Sequence, residues 1–264
     1  MAPHFFKRHS IIFKIIWQTI ICGCIAVAAL HILYICQVRD VVYRAPVAYL
    51  LVILFYYLSI RKKQPFQPLG RCSWKSFLII YGFSVIYLSI FALICLPVQV
   101  LTPALYVIYA CFIRFIFVGL AEELIFREYI ISKMVEHQYK PWAAIIISSV
   151  IFTLVHFPGQ WNHAILGGVL GLAFGWFYVK TKDLGISIAL HCCWDMLAWL
   201  LIRSEVWEVA AEENTTHAIT ILFPQGISYE QYVAGIIIGW LIFIVSIFFI
   251  AKKIGSRYVV QYIK

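Results

Sequence analysis

The sequence predicts an all-α, polytopic integral membrane protein: a bundle of about eight transmembrane helices with both termini in the cytoplasm. Three observations indicate this fold class, namely an excess of apolar residues, eight apolar runs and a one-sided distribution of basic residues. Of the 264 residues, 63% are hydrophobic and 12% are charged, and the mean hydropathy is +0.90. Soluble domains average about 45–50% apolar and about 25% charged residues, because polar groups must cover their surfaces. A bilayer accommodates an apolar exterior.

The apolar runs have the length that membrane spans require. The hydrocarbon core of a bilayer is about 30 Å thick, and a helix of roughly 20 apolar residues crosses it. By this measure the candidate spans are 16–36, 43–60, 76–97, 104–131, 142–157, 163–179, 185–202 and 232–251, of which the fifth and sixth are short. We expect the first to be a retained span, because it is too long for the apolar part of a signal peptide.

The basic residues support this order of spans. If successive connections alternate between the two sides of the membrane, 17 of the 21 Lys and Arg fall on the side of the two termini. Three fall on the other side: Arg39, Arg44 and Arg203. Because Lys and Arg accumulate in cytoplasmic connections, the larger group is expected in the cytoplasm. This distribution explains the net charge of +9 without a nucleic-acid partner.

The fourth span contains ionisable residues, which cost a few kcal/mol in a membrane and so need a partner or a function. They include Glu122, Glu123 and Arg127. Residues four apart share a helix face, so Glu123 and Arg127 are expected to form an ion pair. Glu122 projects about 100° away and remains available for chemistry. Arg114, on the same span, either pairs with an acid or lines a cavity.

Two other spans carry His156 and the pair His191 and Asp195, the latter on one helix face. If the fourth and fifth spans form a hairpin that turns near Tyr139, Glu122 and His156 each lie 17 residues, or roughly 25 Å, from the turn. His191 and Asp195 lie at a similar depth. Taken alone, His156 could be a buried histidine bonded to a backbone carbonyl, and His191 with Asp195 could be a packing pair. The matching depths predict that all four side chains converge in or near the cytoplasmic half of the membrane.

Two features of the sixth span indicate packing and position rather than chemistry. Its glycines follow the spacing that allows helices to approach closely: Gly167, Gly168, Gly171 and Gly175. His163, beside Trp161 and Asn162, is expected at the outer interface of the membrane.

A buried set of carboxylates and imidazoles suits hydrolysis. A carboxylate can act as a general base toward water, and imidazoles can position the water and stabilise the oxyanion. Alternatively, two histidines and a carboxylate can hold a divalent metal with an open position for water. A proton-coupled membrane transporter is a further alternative, since buried acids and histidines can relay protons. Carriers usually have paired halves, however, and the unusual acids here are confined to residues 122–195.

The three stretches, in this order, resemble the CPBP family of intramembrane proteases, which comprises CAAX-processing and bacteriocin-processing endopeptidases. The family's motifs EExxxR, FxxxH and HxxxN/D stand here as Glu122-Glu123…Arg127, Phe152…His156 and His191…Asp195. The resemblance covers about residues 104–202, which would be a catalytic core of four spans. Residues 1–103 would hold three N-terminal spans, and residues 203–264 an acidic outer connection, the last span and a basic tail.

The resemblance implies an endopeptidase that cuts peptide bonds at or inside the membrane. Glu122 would activate the water with help from His156, while Glu123 and Arg127 would brace the helix and hold the substrate. His191 and Asp195 would complete a site for water, a metal or the oxyanion. If a divalent metal such as zinc is used, its ligands would come from Glu122, His156, His191 and Asp195. A glutamate-dependent enzyme would use no metal.

Asp195 is a departure from the CAAX endopeptidases that act on prenylated proteins, which usually have Asn at this position. This departure argues against prenylated substrates. It slightly favours a metal-dependent site, because an ionised Asp cannot donate a hydrogen bond but is a better metal ligand. The expected partners are the lipid bilayer and a membrane-associated peptide or protein. We expect a multi-pass protein of the plasma membrane, with the endoplasmic reticulum as the alternative. A non-catalytic scaffold would have lost a motif residue, and the sequence retains them all.

Overall fold

The computed structural model describes residues 2–38, 41–62, 69–95, 104–156 and 161–202, and the single residues 242, 245, 246 and 249. All seven spans predicted within the long ranges are confirmed as helix. The α-helices are α1 (Ala2–Ile35), α2 (Val41–Phe55), α3 (Trp74–Cys95), α4 (Ala104–Glu123), α5 (Ser132–Glu136), α6 (Pro141–His156), α7 (Trp161–Thr181) and α8 (Leu184–Ile202). The eighth predicted span and the acidic connection before it lie almost wholly outside the described residues.

Two of these helices continue without a break into π-helical turns. α2 continues as π1 (Tyr56–Arg61), and α4 continues as π2 (Leu124–Ile131), which α5 then extends. Within the described ranges the chain therefore forms seven continuous helices. π-Helical turns are rare and often lie at functional sites. Here the change from α to π geometry falls between Glu123 and Arg127, inside the charged motif.

The described helices have the length and apolar surface of membrane spans. Among the described residues, three segments are long and apolar enough to cross a membrane: Ser10–Ile35, Arg44–Arg61 and Ala164–Thr181. Three shorter apolar segments are Trp74–Tyr87, Pro141–His156 and Leu184–Asp195. With 34 residues, α1 is roughly 50 Å long and exceeds the thickness of the hydrocarbon core. Its basic N-terminal end is therefore expected to project beyond the bilayer.

The connections that were predicted on one side of the membrane meet at one end of the bundle. The N–H of Arg71 donates to the carbonyl of Lys182 at 3.0 Å, and the N–H of Leu184 donates to the carbonyl of Arg71 at 2.7 Å. Close by along the chain, the N–H of Leu69 donates to Oγ of Ser132 at 2.8 Å. The connection before α3, the start of α5 and the turn before α8 thus lie together, as alternating spans require. Their cytoplasmic location stays a prediction.

Asp183 caps the first turn of α8 in this same cluster. Its Oδ1 accepts hydrogen bonds from the N–H groups of Gly185 and Ser73, both at 3.0 Å. The first bond satisfies one of the N–H groups that a helix leaves unpaired at its start. The second ties the entry to α3 to the entry to α8. This cap fixes where α8 begins, and so the height of the residues that α8 carries.

The glycines of α7 pack against α6, as their spacing predicts. Cβ atoms built on Gly167, Gly171 and Gly175 would come within 3.1–3.2 Å of side-chain atoms on neighbouring helices, and one on Gly168 would overlap the hydroxyl of Thr153. α6 and α7 therefore form a close antiparallel pair. α4 packs between α2 and α8, and π2 packs against α6. This arrangement places the charged motif of α4 and π2 in the middle of the bundle.

Candidate active site

Glu123 and Arg127 form the predicted ion pair in the centre of the bundle. Nε of Arg127 lies 3.2 Å from Oε2 of Glu123, and the two side chains are 1% and 0% exposed. The guanidinium carbon also lies 5.1 Å from the ring centre of Phe152 and 5.8 Å from that of Phe174. Within the described part of the chain, its two terminal nitrogens have no hydrogen-bond partner. One carboxylate and the aromatic rings around it therefore stabilise this buried charge.

Glu123 has a second contact that the sequence did not predict. Its Oε1 lies 2.8 Å from Nδ1 of His191 on α8. Because an ionised carboxylate can only accept, Nδ1–H of His191 is the donor. Glu123 thus contacts Arg127 with one oxygen and His191 with the other. It fixes the orientation of the imidazole, with Nε2 pointing away from Glu123.

Nε2 of His191 faces two other carboxylates. It lies 3.5 Å from Oε2 of Glu122 and 3.6 Å from Oδ2 of Asp195. The structure therefore brings together three of the four side chains predicted to converge. Two carboxylates and an imidazole nitrogen this close would repel one another if all were deprotonated. At least one shared proton is therefore expected among Glu122, His191 and Asp195.

His156, the fourth predicted residue, lies at the end of α6 beside this cluster. Its Nδ1 is 2.8 Å from the carbonyl oxygen of Phe152, which only accepts, so Nδ1–H is the donor. A hydrogen bond to a backbone carbonyl was the alternative explanation for a buried histidine at this position. The bond leaves Nε2 of His156 available for other contacts. The ring of Phe152 lies 4.4 Å from that of His156 and 6.0 Å from that of His191, measured between ring centres. The ring of Phe152 is therefore close to both imidazoles.

Two residues outside the predicted set contact the cluster. Phe152, which is 4% exposed, touches Arg127 and both imidazoles and so holds the three motifs together. Its place in FxxxH was a signal that could have indicated this role. Tyr49 of α2 directs its hydroxyl to Oε1 of Glu122 at 3.4 Å. No signal in the sequence around Tyr49 distinguishes it from the many other tyrosines of the chain.

The remaining predictions concern two polar residues. Arg114 is half-buried on α4, and whether it pairs with an acid or lines a cavity stays a prediction. The side chain of His163 lies outside the described part of the structure, so its position at the outer interface stays a prediction.

The cluster contains the types of side chain that bind divalent metals, since Nε2 of His191 faces two carboxylates while Nδ1–H donates to a third. Metal-binding histidines commonly have such an outer carboxylate. Among the described residues, however, no group of three or more His, Cys, Asp or Glu side chains is arranged to hold a metal ion. The metal therefore stays a prediction that an experiment must test.

Comparison with known proteins matches the part of the chain that carries these motifs. Residues 102–197 match the family model described as Rce1-like: Type II CAAX prenyl endopeptidase Rce1-like. The match agrees within a few residues with the range over which the motifs showed a resemblance. No curated protein and no solved structure is matched by the chain.

The match and the membrane-spanning helices together make this an integral membrane protein. The family is one of peptidases, and its members cleave protein substrates. All the site residues described above except Tyr49 lie within the matched range. Residues 102–197 therefore carry a domain that matches the Rce1-like type II CAAX prenyl endopeptidase (CPBP) family.

Proposed function

We propose that this protein is an intramembrane endopeptidase that hydrolyses peptide bonds of membrane-associated substrates, with Glu122 activating the attacking water. One observation carries the proposal: a buried carboxylate, Oε2 of Glu122, faces Nε2 of an imidazole at 3.5 Å, and Glu123 orients that imidazole. Hydrolysis needs a base near the water and a donor near the oxyanion. Glu122 and His191 supply these two functions side by side.

The proposed roles follow from which atoms of each side chain are not already engaged by another residue. Both oxygens of Glu123 are already engaged by Arg127 and His191, so Glu123 is a positioning residue. Glu122 has no such charged partner on its own helix and is the base. His191, once protonated at Nε2, donates toward the developing oxyanion. Asp195 lies 3.6 Å from the same nitrogen and favours the protonated imidazole.

His156 is proposed to assist from the end of α6. Its Nδ1–H is committed to the carbonyl of Phe152, so its Nε2 carries a lone pair in the neutral ring. That nitrogen can accept a hydrogen bond from the water and so orient it, while Glu122 takes the proton of the water and later transfers it to the leaving amine. The backbone bond keeps the ring in one tautomer through both steps.

A divalent metal such as zinc remains compatible with the chemistry of the donors. Glu122, His156, His191 and Asp195 are the side chains that would hold it. When bound, the metal would act as a Lewis acid and supply a hydroxide at neutral pH. In either scheme Glu123 and Arg127 keep their positioning roles.

The substrate is proposed to be a peptide or protein held at the membrane, and the location is proposed to be the plasma membrane. The site lies among membrane helices, so a substrate must enter from the bilayer or its surface. Prenylated CAAX sequences and unprenylated, signal-peptide-like sequences are both candidates, because Asp195 stands where the CAAX enzymes usually have Asn. Direct comparison of the two substrate types decides between them.

The test is cleavage of prenylated and unprenylated membrane peptides by the purified protein in lipid nanodiscs, with and without a chelator. Glu122→Gln keeps the size of the side chain and removes the base, so the rate should fall by roughly 10²- to 10⁴-fold. Glu136→Gln is the matched control. Glu136 lies on α5, where its side chain is 36% exposed and pairs with Lys133 at 3.1 Å, and it is not one of the site residues, so its loss should leave the rate unchanged.

Three outcomes are informative. Loss of cleavage in Glu122→Gln alone supports the proposal, and the effect of the chelator then separates the metal scheme from the metal-free one. Equal rates in the wild type and Glu122→Gln would remove Glu122 from the mechanism. A folded wild-type protein that cleaves none of the peptides but takes up protons in vesicles would point to the transporter instead.

A further inference from the structure

Tyr49 lies on α2, outside the range that matches the family, yet its side chain reaches the active-site carboxylate. One face of α2 is buried against the bundle, including Ala45, Ala48 and Val52, while Leu50 and Leu54 are exposed on the opposite face. Tyr49 is half-buried at the edge of the inner face. This position directs its hydroxyl toward α4, the neighbour of α2 in the bundle.

The hydroxyl of Tyr49 lies 3.4 Å from Oε1 of Glu122. An ionised carboxylate has no proton to give, so the phenol is the donor. The other oxygen of Glu122 faces His191 at 3.5 Å. The two oxygens of the carboxylate are therefore distinguished: Oε1 faces a phenol from α2, and Oε2 faces the imidazole of α8.

We infer that Tyr49 is a positioning residue of this enzyme: its hydroxyl donates to Oε1 of Glu122 and so directs Oε2 toward the water. This inference rests on the proposed function. Glu122 is only 8% exposed, so a donor from the protein is needed where bulk water does not reach the carboxylate. The distance of 3.4 Å is long for such a bond. Active-site hydrogen bonds are often long without substrate and shorten when it binds.

A second tyrosine, at the start of π1, which continues α2, keeps this helix in place independently of Tyr49. Tyr56 lies seven residues, or two turns, further along, and its hydroxyl donates to Oε2 of Glu128 at 2.6 Å. Glu128 is on π2 and takes no part in the proposed chemistry. Two phenols on one helix thus contact two acids on the next, of which one is the base. Removing the hydroxyl of Tyr49 should therefore leave α2 in register.

The test compares Tyr49→Phe with Tyr56→Phe in nanodiscs, using a peptide that the wild type cleaves. Each variant loses one hydroxyl that contacts one glutamate. Loss of a hydrogen bond to a charged group corresponds to roughly 10- to 100-fold, so kcat of Tyr49→Phe should fall by that factor while KM stays within about threefold. Tyr56→Phe should keep kcat within about threefold. 3-Fluorotyrosine at position 49, which retains the hydroxyl, should restore most of kcat.

Each result decides the assignment. An unchanged kcat in Tyr49→Phe, or a rise in KM alone, would make Tyr49 a packing or substrate-binding residue and overturn the inference. Equal losses of kcat in Tyr49→Phe and Tyr56→Phe would also overturn it, because the effect would then come from the placement of α2. A wild type that cleaves nothing overturns the proposed function and this inference with it. If the wild type cleaves the peptide and Tyr49→Phe cleaves it equally well, the inference about Tyr49 is overturned while the proposed function stands.

Discussion

Either member of the buried ion pair between Glu123 and Arg127 can be replaced by an apolar residue. The structure predicts that the two replacements lower the free energy of unfolding by different amounts. Glu123→Leu leaves the guanidinium of Arg127 at 1% exposure with no carboxylate partner and removes the acceptor of His191. An uncompensated buried charge costs about 3–5 kcal/mol, and the lost hydrogen bond about 1 kcal/mol more. The aromatic rings around Arg127 offset part of this cost.

Arg127→Met should cost less, because the carboxylate that remains still has a partner. Oε1 of Glu123 keeps its bond of 2.8 Å to Nδ1–H of His191. A lost interaction with a charged group, rather than an isolated charge, corresponds to about 1–3 kcal/mol. The double variant Glu123→Leu/Arg127→Met leaves no isolated charge. Its cost should therefore be smaller than the sum of the two single costs.

The assay is unfolding of the purified variants in mixed micelles, followed by the fluorescence of the nine Trp residues. Lys133→Met and Glu136→Leu are matched controls. Their ion pair of 3.1 Å joins side chains that are 11% and 36% exposed, against 1% and 0% for Arg127 and Glu123, so each change should cost less than the corresponding change in the buried pair. A free energy of unfolding for Arg127→Met that falls as far as that for Glu123→Leu would refute the reasoning. Additive costs in the double variant would refute it equally.

Two further predictions concern the site and its scaffold. The Asp195→Asn variant should cleave peptides at a rate within about tenfold of the wild type, because an amide can donate to the oxyanion beside His191. A loss of rate beyond about a hundredfold, together with inhibition of the wild type by a chelator, would instead identify Asp195 as a metal ligand. Gly171→Val should lower the free energy of unfolding by about 1–3 kcal/mol, because a Cβ there already lies 3.3 Å from Cα of Ser149 on α6. Gly82→Ala on α3, where a Cβ meets nothing within 4 Å, should be neutral or stabilising in the same unfolding assay.

Much of the architecture could be predicted because a membrane constrains it strongly. Span length is set by the thickness of the bilayer, so seven helices were located from apolar runs alone. The pairing of Glu123 with Arg127 follows from a spacing of four, and the convergence of Glu122 with His191 and Asp195 follows from their depth. The depth of a residue in the membrane and the spacing of residues along a helix depend on one helix at a time, so both can be predicted from the sequence.

Contacts that depend on how one helix is rotated against another could not be predicted. Whether Tyr49 faces Glu122 depends on the rotation of α2 about its axis, and a mostly apolar helix gives little indication of that rotation. The bond between Glu123 and His191 depends on the exact distance between α4 and α8. There Gly119 allows close contact, since a Cβ on it would lie 2.8 Å from Sγ of Cys192. The π-helical turn at Leu124–Ile131 also gave no signal in the pattern of apolar residues.

Tyr49 of α2 and Tyr56 of π1 have a consequence for how the chain enters the membrane during synthesis. Helices emerge from the ribosome in order, so α2 is made before α4, and α8 is made last of the described helices. Each charged residue near the centre of an inserting helix costs about 2.5–3.5 kcal/mol. When α4 and π2 arrive, His191 does not yet exist, but the phenols of Tyr49 and Tyr56 are available to Glu122 and Glu128. The early helices thus act as a template for the insertion of the helix that carries the most charge, and a chain that began at α4 would insert without their help.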